Sequence, residues 1–191
     1  DVTSVRIVIN PEKMVIREAE RSFMYLNFYG FNTDAVIVNR LLPSVDLGQY
    51  FEKWGEVHHT YLQYIKDQFN PVPVFTVPLF MEEVVDFEAL EKMARECFGE
   101  NPPEQFFFRG QSQKIIQAED GYVLAMMLPF VEKGAISLSQ KGDELTVRVG
   151  DYKRNIFLPR KLLGREALGA KLEDDVLKIR FGGVANDNQR L

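Results

Sequence analysis

The sequence predicts an α/β domain with a parallel sheet, followed by an all-β antiparallel sandwich. Up to residue 98, short apolar runs alternate with segments of helical period. Beyond residue 103, apolar residues recur at every second position instead. Turn formers at 99–103 separate the two patterns. The predicted organisation is an α/β domain at 1–100, a linker at 101–110, a sandwich at 111–182 and a flexible tail at 183–191.

The α/β domain is predicted to begin with a strand, a helix and a second strand. A β-branched run forms the strand at 5–9, and a helix over 11–29 follows Asn10, which suits an N-cap. The apolar run at 35–38 is typical of a strand covered on both faces. The inward face of the helix has four members at helical spacing, Val15, Ala19, Phe23 and Leu26.

Two further helices flank a third strand, predicted at 74–77. One helix spans 49–69 and ends before two prolines, and the other spans 87–98. The apolar stripe of the first comprises Phe51, Trp54, His58, Tyr61, Leu62 and Ile65. The inward residues of the second are Leu90, Ala94 and Cys97 or Phe98. This β-α-β-α-β-α order implies parallel strands with right-handed crossovers.

The second domain shows the period of two that strands of a half-buried sheet require. Turn signals at 119–121, 141–143, 150–151 and 174–175 separate its apolar runs. The alternating apolar positions are Ile136, Leu138, Leu145, Val147, Val149, Leu177, Ile179 and Phe181. Short strands at this spacing predict an antiparallel sandwich.

Composition excludes several classes of protein. The 191 residues contain 23 Lys and Arg against 28 Asp and Glu, so the net charge is −5 and no basic stripe favours nucleic acid. No apolar run approaches the roughly 18 residues of a membrane span. Because the chain starts at Asp1 without an initiator Met, we expect a fragment, a trimmed product or a processed one.

The sequence contains no pattern typical of a catalytic or metal site. Neither G-x-x-x-x-G-K-[ST] nor G-x-G-x-x-G occurs in the sequence. Adjacent His58 and His59 point about 100° apart on a helix, so we expect one to pack partly inward and the other to be solvated. Cys97 is expected to be a buried structural thiol. The carboxylate pairs at 82–83 and 174–175 diverge and are expected on the surface.

Two aromatic clusters leave alternatives open. The clusters lie at 23–25 and 106–108, and either could form a hydrophobic client site. Core packing is the favoured interpretation of the first cluster. A strand, or a linker docking between domains, is favoured for the second.

Residues 3–19 and 34–40, with their T-S-V-R-I-V-I-N-P-E-K-M and D-A-V-I-V-N-R motifs, resemble the C-terminal part of the ATPase domain in ArsA-type ATPases. That family includes arsenite-pump ATPases and tail-anchored-protein targeting factors. Residues 77–85 match its final strand and the loop after it. The second half resembles the α-crystallin, or small-heat-shock, sandwich that some members carry. Its matching segments are 128–133, 142–147, 155–159, 169–172 and 176–179.

The resemblance implies an ATP site shared between two subunits of a homodimer. It implies that Asn39 hydrogen-bonds adenine, and that Pro78, Leu79 and Phe80 pack on the base or bond it through backbone groups. Both positions follow predicted strands, where ligands of parallel sheets bind, and an amide can donate and accept. The alternatives are that Asn39 only caps its strand and that Pro78 is only structural.

The resemblance also implies what lies outside these residues. The phosphate loop, the nucleotide-sensing switches, the magnesium ligands and the client-binding helices are expected before Asp1. Asp86 stands where many relatives have glycine, and the tail lacks the I-x-I motif of small heat-shock proteins. The chain is therefore expected to bind only the adenine end of ATP or ADP, with Mg²⁺ only in the intact protein.

The predicted function is that of the C-terminal portion of an ArsA-type, P-loop-type ATPase with an accessory sandwich. We expect no hydrolysis by this chain alone, since nothing in it stabilises the transferring phosphoryl group. The alternative is a non-enzymatic, chaperone-like protein-binding module. The expected partners are a second copy or a complementary N-terminal ATPase portion, and a hydrophobic protein client. The expected location is the cytoplasm, or the plastid stroma in a plant.

Overall fold

The computed structural model describes residues 3–43, 48–110 and 113–184. Contacts divide the chain into two compact units, which combine residues 1–23 with 32–110 and residues 24–31 with 111–191. The segment 101–110, predicted as a linker, groups with the first unit. Most of the predicted tail, residues 185–191, lies outside the described residues.

The first unit contains a parallel sheet, as predicted. Its strands are β1 (Val5–Ile9), β2 (Thr33–Leu41) and β3 (Val74–Pro78), in the order β1-β2-β3. β1 pairs with β2 as far as Ile9 opposite Val38. β2 pairs with β3 as far as Leu41 opposite Pro78, with a register shift between Val38 and Leu41.

Three helices accompany this sheet: α1 (Lys13–Tyr29), α2 (Gln49–Phe69) and α3 (Phe87–Phe98). On the predicted inward face of α1, Ala19 and Phe23 are buried, and Val15 and Leu26 are half-buried. The Phe23 ring packs on Phe69 of α2 at 5.2 Å between centroids, so core packing holds for this aromatic residue.

The predicted stripe of α2 is wrong at its N-terminal end. Ile65 is fully buried, but Phe51 and Trp54 are 42% and 50% exposed. The helix has 21 residues and is about 31 Å long, whereas the five residues of β3 span only about 17 Å. Among the described strands of the parallel sheet only β2, with nine residues, approaches the length of the helix, so the first turns of α2 extend beyond most of that sheet.

The predicted inward face of α3 is correct only near its end. Cys97 is buried and Phe98 is half-buried, but Leu90 and Ala94 are exposed. The Phe98 ring lies 5.3 Å from that of Phe75 in β3, so α3 meets the sheet through its last turn. Helical period identifies an apolar stripe, but the length of the neighbouring element decides how much of it is covered.

The second unit contains the predicted antiparallel sandwich. One sheet has the order β4-β5-β10-β9, formed by β4 (Gln113–Ala118), β5 (Gly121–Met127), β9 (Arg165–Glu173) and β10 (Val176–Val184). The other has the order β6-β7-β8, formed by β6 (Ile136–Lys141), β7 (Glu144–Val149) and β8 (Tyr152–Phe157). The alternation is confirmed: alternate residues of β7 and β10 are buried, and Ile136 and Leu138 of β6 are half-buried.

The core of the second unit also contains side chains from the end of α1. Phe28 is fully buried and Met24 nearly so, within the same cluster as the strands of the sandwich. Arg154 of β8 donates a hydrogen bond to the Phe28 carbonyl oxygen. The helical period predicts that the whole of α1 belongs to the α/β domain, and it gives no signal that residues 24–31 group with the sandwich.

Candidate functional site

The predicted nucleotide-binding residues lie at the carboxyl ends of two neighbouring parallel strands. Asn39 was predicted to follow its strand, but it lies inside β2, because β2 continues to Leu41. Asn39 is half-buried near the end of β2, and Pro78 is the last residue of β3. Leu41 pairs with Pro78, and the backbone N–H of Leu79 donates to the Leu41 carbonyl at 2.8 Å. The structure therefore brings Asn39 and the segment 78–80 to the same edge of the sheet, at the carboxyl ends of its strands, outside which ligands of parallel sheets bind.

A backbone irregularity marks this edge. Arg40 has a φ of 57°, and the register of β2 against β3 shifts between Val38 and Leu41. A left-handed conformation is uncommon for a residue other than glycine, and an extra residue in a strand re-aims the side chains around it. Nothing in the sequence signals this bulge, because arginine is not a residue that favours it.

His58 of α2 reaches the same strand end. Its Nδ1 accepts a hydrogen bond from the backbone N–H of Leu42 at 3.2 Å. Burial lowers the pKa of His58 below its usual 6.5, although the negative charge of Glu12 acts in the opposite direction. His59 is exposed, so the prediction of one partly inward and one solvated histidine is confirmed. Sequence reasoning found the pair but missed this role.

A groove runs beside the loop that leaves β3. It has a volume of about 850 Å³ and lies between residues 78–86 and α3. Leu79 is exposed and Phe80 half-buried, and the ammonium group of Lys92 lies 5.8 Å from the centre of the Phe80 ring. Asn39 does not line this groove. Its lining charges are Glu82, Glu83, Asp86, Glu88, Glu91, Lys92, Arg95 and Glu96.

Asp86 ends this loop and begins α3. Its carboxylate accepts a hydrogen bond from the Ala89 N–H at 2.7 Å, which is an N-cap. Asp86 therefore has a local structural role.

A buried ion pair lies towards the amino-terminal ends of the strands. Asp34 is fully buried and accepts from Arg6 Nε at 3.2 Å. The same guanidinium donates to the carbonyls of Pro103 and Gln105, and Phe107 N–H donates to Asp34 at 3.4 Å. These contacts hold the segment after α3 against the sheet within the first unit.

The strand-end edge presents groups that can bind a ligand. The strand-end edge offers an amide, backbone groups and apolar side chains, which can hold a flat heterocycle. Among residues 3–43, 48–110 and 113–184, no group of three or more His, Cys, Asp or Glu could hold a metal ion. None of the described helices combines the length and apolar character that crossing a membrane requires.

Comparison with known proteins identifies the family. The profile of the anion-transporting ATPase family, ArsA, matches residues 1–98. The chain belongs to the ArsA ATPase family. Residues 119–181 match the HSP20-like domain found in ArsA. The resemblance seen in both halves of the sequence is thereby confirmed.

Three relatives show how much of an ArsA protein's length this chain matches. A protein of Aquifex aeolicus, named as an arsenical pump-driving ATPase, is 45% identical over 94% of this chain and 46% of its own length. One of Chlorobaculum tepidum with the same kind of name is 35% identical over 94% and 44%. The ATPase GET3 of Phaeosphaeria nodorum is 33% identical over 48% and 29%. The chain spans about half the length of the first two relatives.

Two further residues that the sequence singled out, Cys97 and Phe107 of the second aromatic cluster, have structural roles in this ArsA-family chain. Cys97 is a buried free cysteine, and burial raises the pKa of its thiol, against the lowering effect of Arg6. The Phe107 ring stacks on Phe98 at 5.7 Å and meets Phe75 edge-on at 4.6 Å. This phenylalanine of the second aromatic cluster therefore packs on the first unit's own rings.

Proposed function

We propose that this chain supplies the adenine-binding end of the ATP site of an ArsA-type ATPase. The observation that carries the proposal is the parallel pairing of β2 with β3, through which Asn39 and Pro78 share one sheet edge. Ligands of parallel α/β sheets bind outside this edge. ATP or ADP is the nucleotide that the family's name supports.

Each group at the edge has a stated role in this proposal. The Asn39 amide donates to and accepts from the edge of adenine, which presents both kinds of partner. The Leu79 N–H already bonds Leu41, so the backbone contacts to the base come from the Leu79 carbonyl and from Phe80. The side chains of Leu79 and Phe80 cover a face of the ring, with Pro78 fixing the turn.

The energy-converting part of the site is proposed to lie elsewhere in the intact protein. No phosphate-loop motif occurs in the 191 residues, so we expect no ATP hydrolysis by this chain alone. In this proposal Mg²⁺ is bound with the phosphates in the intact protein only. The complete site forms in a homodimer or with a complementary N-terminal ATPase portion, in the cytoplasm or the plastid stroma.

Calorimetric titration of this chain with ADP and ATP tests the adenine assignment. We expect Asn39→Ala to weaken both affinities by roughly five- to tenfold, which is the net worth of about one hydrogen bond. Asn155→Ala, an exposed asparagine of the sandwich, is the matched control and is expected to bind like the unsubstituted chain. Adenosine should compete and guanosine should not. Absence of heat with the unsubstituted chain, or equal affinities of the two variants, would contradict the proposal.

A second candidate function, a chaperone-like accessory surface, rests on exposed apolar side chains of the sandwich. Phe157, at the end of β8, is 80% exposed, and Leu168 of β9 is also exposed. In the described part of each sheet these strands pair on one side only, β8 with β7 and β9 with β10. Unpaired strand edges beside apolar side chains accept extended segments of other proteins.

The accessory surface is tested with the complete chain, since the core of the sandwich includes Phe28. We expect the chain to slow the aggregation of reduced insulin, measured by light scattering, and Phe157→Ser to lose at least half of that protection. Phe87→Ser is the matched control, because Phe87 is equally exposed, at 83%, but lies in the first unit. Equal losses of protection against aggregation in the two variants would contradict a binding surface that is specific to the sandwich.

A further inference from the structure

The peptide group that joins Leu41 to Leu42 is hydrogen-bonded on one side to the loop after β3 and on the other side to helix α2. Its carbonyl oxygen, from Leu41, accepts from Leu79 N–H at 2.8 Å on the side of β3. In a trans peptide the N–H points to the opposite side from the carbonyl, so the Leu42 N–H faces away from β3. β1 occupies that side of β2, but its last partner is Val38, and it does not extend to Leu42.

His58 supplies the partner that β1 does not. Its Nδ1 lies 3.2 Å from the Leu42 nitrogen and is held on α2, whose position is fixed by the fully buried Ile65 and Phe69. Accepting this bond requires the tautomer with its proton on Nε2, and protonation of the ring would place two N–H groups against each other. The lowered pKa of His58 keeps the accepting form dominant at neutral pH.

We propose that His58 is a positioning residue for nucleotide binding, acting through the Leu42 N–H on the bulge that carries Asn39. Asn39 and Arg40 lie between two fixed points of the backbone. Before them, Val38 pairs with β1, and after them, the peptide group of Leu41 and Leu42 is hydrogen-bonded to His58. The inference rests on the proposed function, because it assigns to His58 the placement of the adenine-binding amide. Neither His58 nor Leu42 needs to touch the nucleotide.

Three variants separate positioning from a general effect of mutation. His58→Ala removes the acceptor. His58→Asn places an amide oxygen close to where Nδ1 lies and restores it. His59→Ala is the matched control, since its exposed side chain neighbours His58 on the same helix. Two measurements are made on each: amide hydrogen exchange at Leu42 by NMR with ¹⁵N-leucine labelling, and the dissociation constant for ADP by calorimetry.

We expect His58→Ala to speed exchange at Leu42 and to weaken ADP binding, each by roughly five- to tenfold, with His58→Asn recovering most of both. His59→Ala should change neither. Unchanged exchange at Leu42 in His58→Ala, or an affinity no weaker than in His59→Ala, overturns the positioning role. If the unsubstituted chain binds no ADP, the adenine assignment fails and the role in nucleotide binding with it, whereas the exchange data still decide whether His58 holds Leu42.

Discussion

The two units of the chain differ in how completely they cover their own apolar side chains. In the second unit, the inward residues of β5, β7 and β10 are almost completely buried. In the first unit, Met81 is 94% exposed, and Val85, Phe87 and Leu90 are exposed beside it. These four side chains belong to the loop after β3 and to the start of α3, and Met81 lines the groove beside that loop.

The difference reflects how each architecture forms a core. Two facing sheets cover each other, and the period of two places every second side chain between them. A parallel sheet depends on helices to cover it, and each helix covers only the length over which it lies on strands. The sandwich therefore encloses its inward apolar residues and leaves only outward ones such as Phe157 and Leu168 exposed. The α/β unit, in contrast, leaves apolar surface at the edge where binding is proposed.

The largest expected effect tests whether the sandwich depends on the end of α1. Phe28→Ala removes a fully buried ring from the core of the second unit, and we expect the free energy of unfolding of that unit to fall by about 3–5 kcal/mol. The cost combines lost burial of the ring with the cavity that it leaves. Faster amide exchange in β10, at Leu177 and Ile179, measures the loss where the sandwich is most buried.

Phe31→Ala is the control for this prediction. Phe31 is exposed, yet it belongs to the same unit and follows the same helix. We expect its substitution to change stability by less than about 1 kcal/mol. Similar exchange rates in β10 for the two variants would show that the stability of the sandwich does not depend on α1. The strands alone would then account for the burial of apolar side chains in the second unit.

The sequence predicted the buried side chains of the sandwich better than those of the α/β unit. The period of two identified the inward residues of the sandwich because a strand fixes its side chains to alternate faces. Phe51, Trp54 and Leu90 were assigned to buried faces wrongly, since the sequence does not show how far a helix extends past its sheet. The grouping of Phe28 with strands that begin about 90 positions later is a tertiary contact that no local pattern encodes.

The candidate site also has features that the sequence predicted and features that it did not. The apolar runs at 35–38 and 74–77 predicted that Asn39 and Pro78 follow neighbouring parallel strands. The strands are as predicted but longer, so Asn39 lies two residues before the end of β2 and Pro78 is the last residue of β3. The bulge at Arg40 and the bond from Leu42 to His58 arise from backbone geometry after the strands have paired. Neither leaves a signature in residue type, so sequence reasoning could not find them.

A smaller effect is expected from removing the buried ion pair of the first unit. Asp34→Asn retains the shape of a fully buried side chain but removes its charge, so Arg6 loses its ionic partner. We expect the free energy of unfolding of the first unit to fall by about 2–3 kcal/mol. This is below the cost of breaking a completely buried pair, because the Arg6 side chain is partly exposed. Fluorescence of Trp54, the single tryptophan of the chain, follows denaturation of this unit.

The control uses an ion pair of the same unit that lies on its surface. Glu91 and Arg95 are 2.7 Å apart on α3, and both side chains are largely exposed, so Glu91→Gln should change stability by less than about 0.5 kcal/mol. An Asp34→Asn variant as stable as Glu91→Gln would show that the buried pair contributes nothing beyond a surface pair. The first unit would then depend on apolar contacts such as Phe107 against Phe98, and its stabilisation would be of the same kind as that of the sandwich.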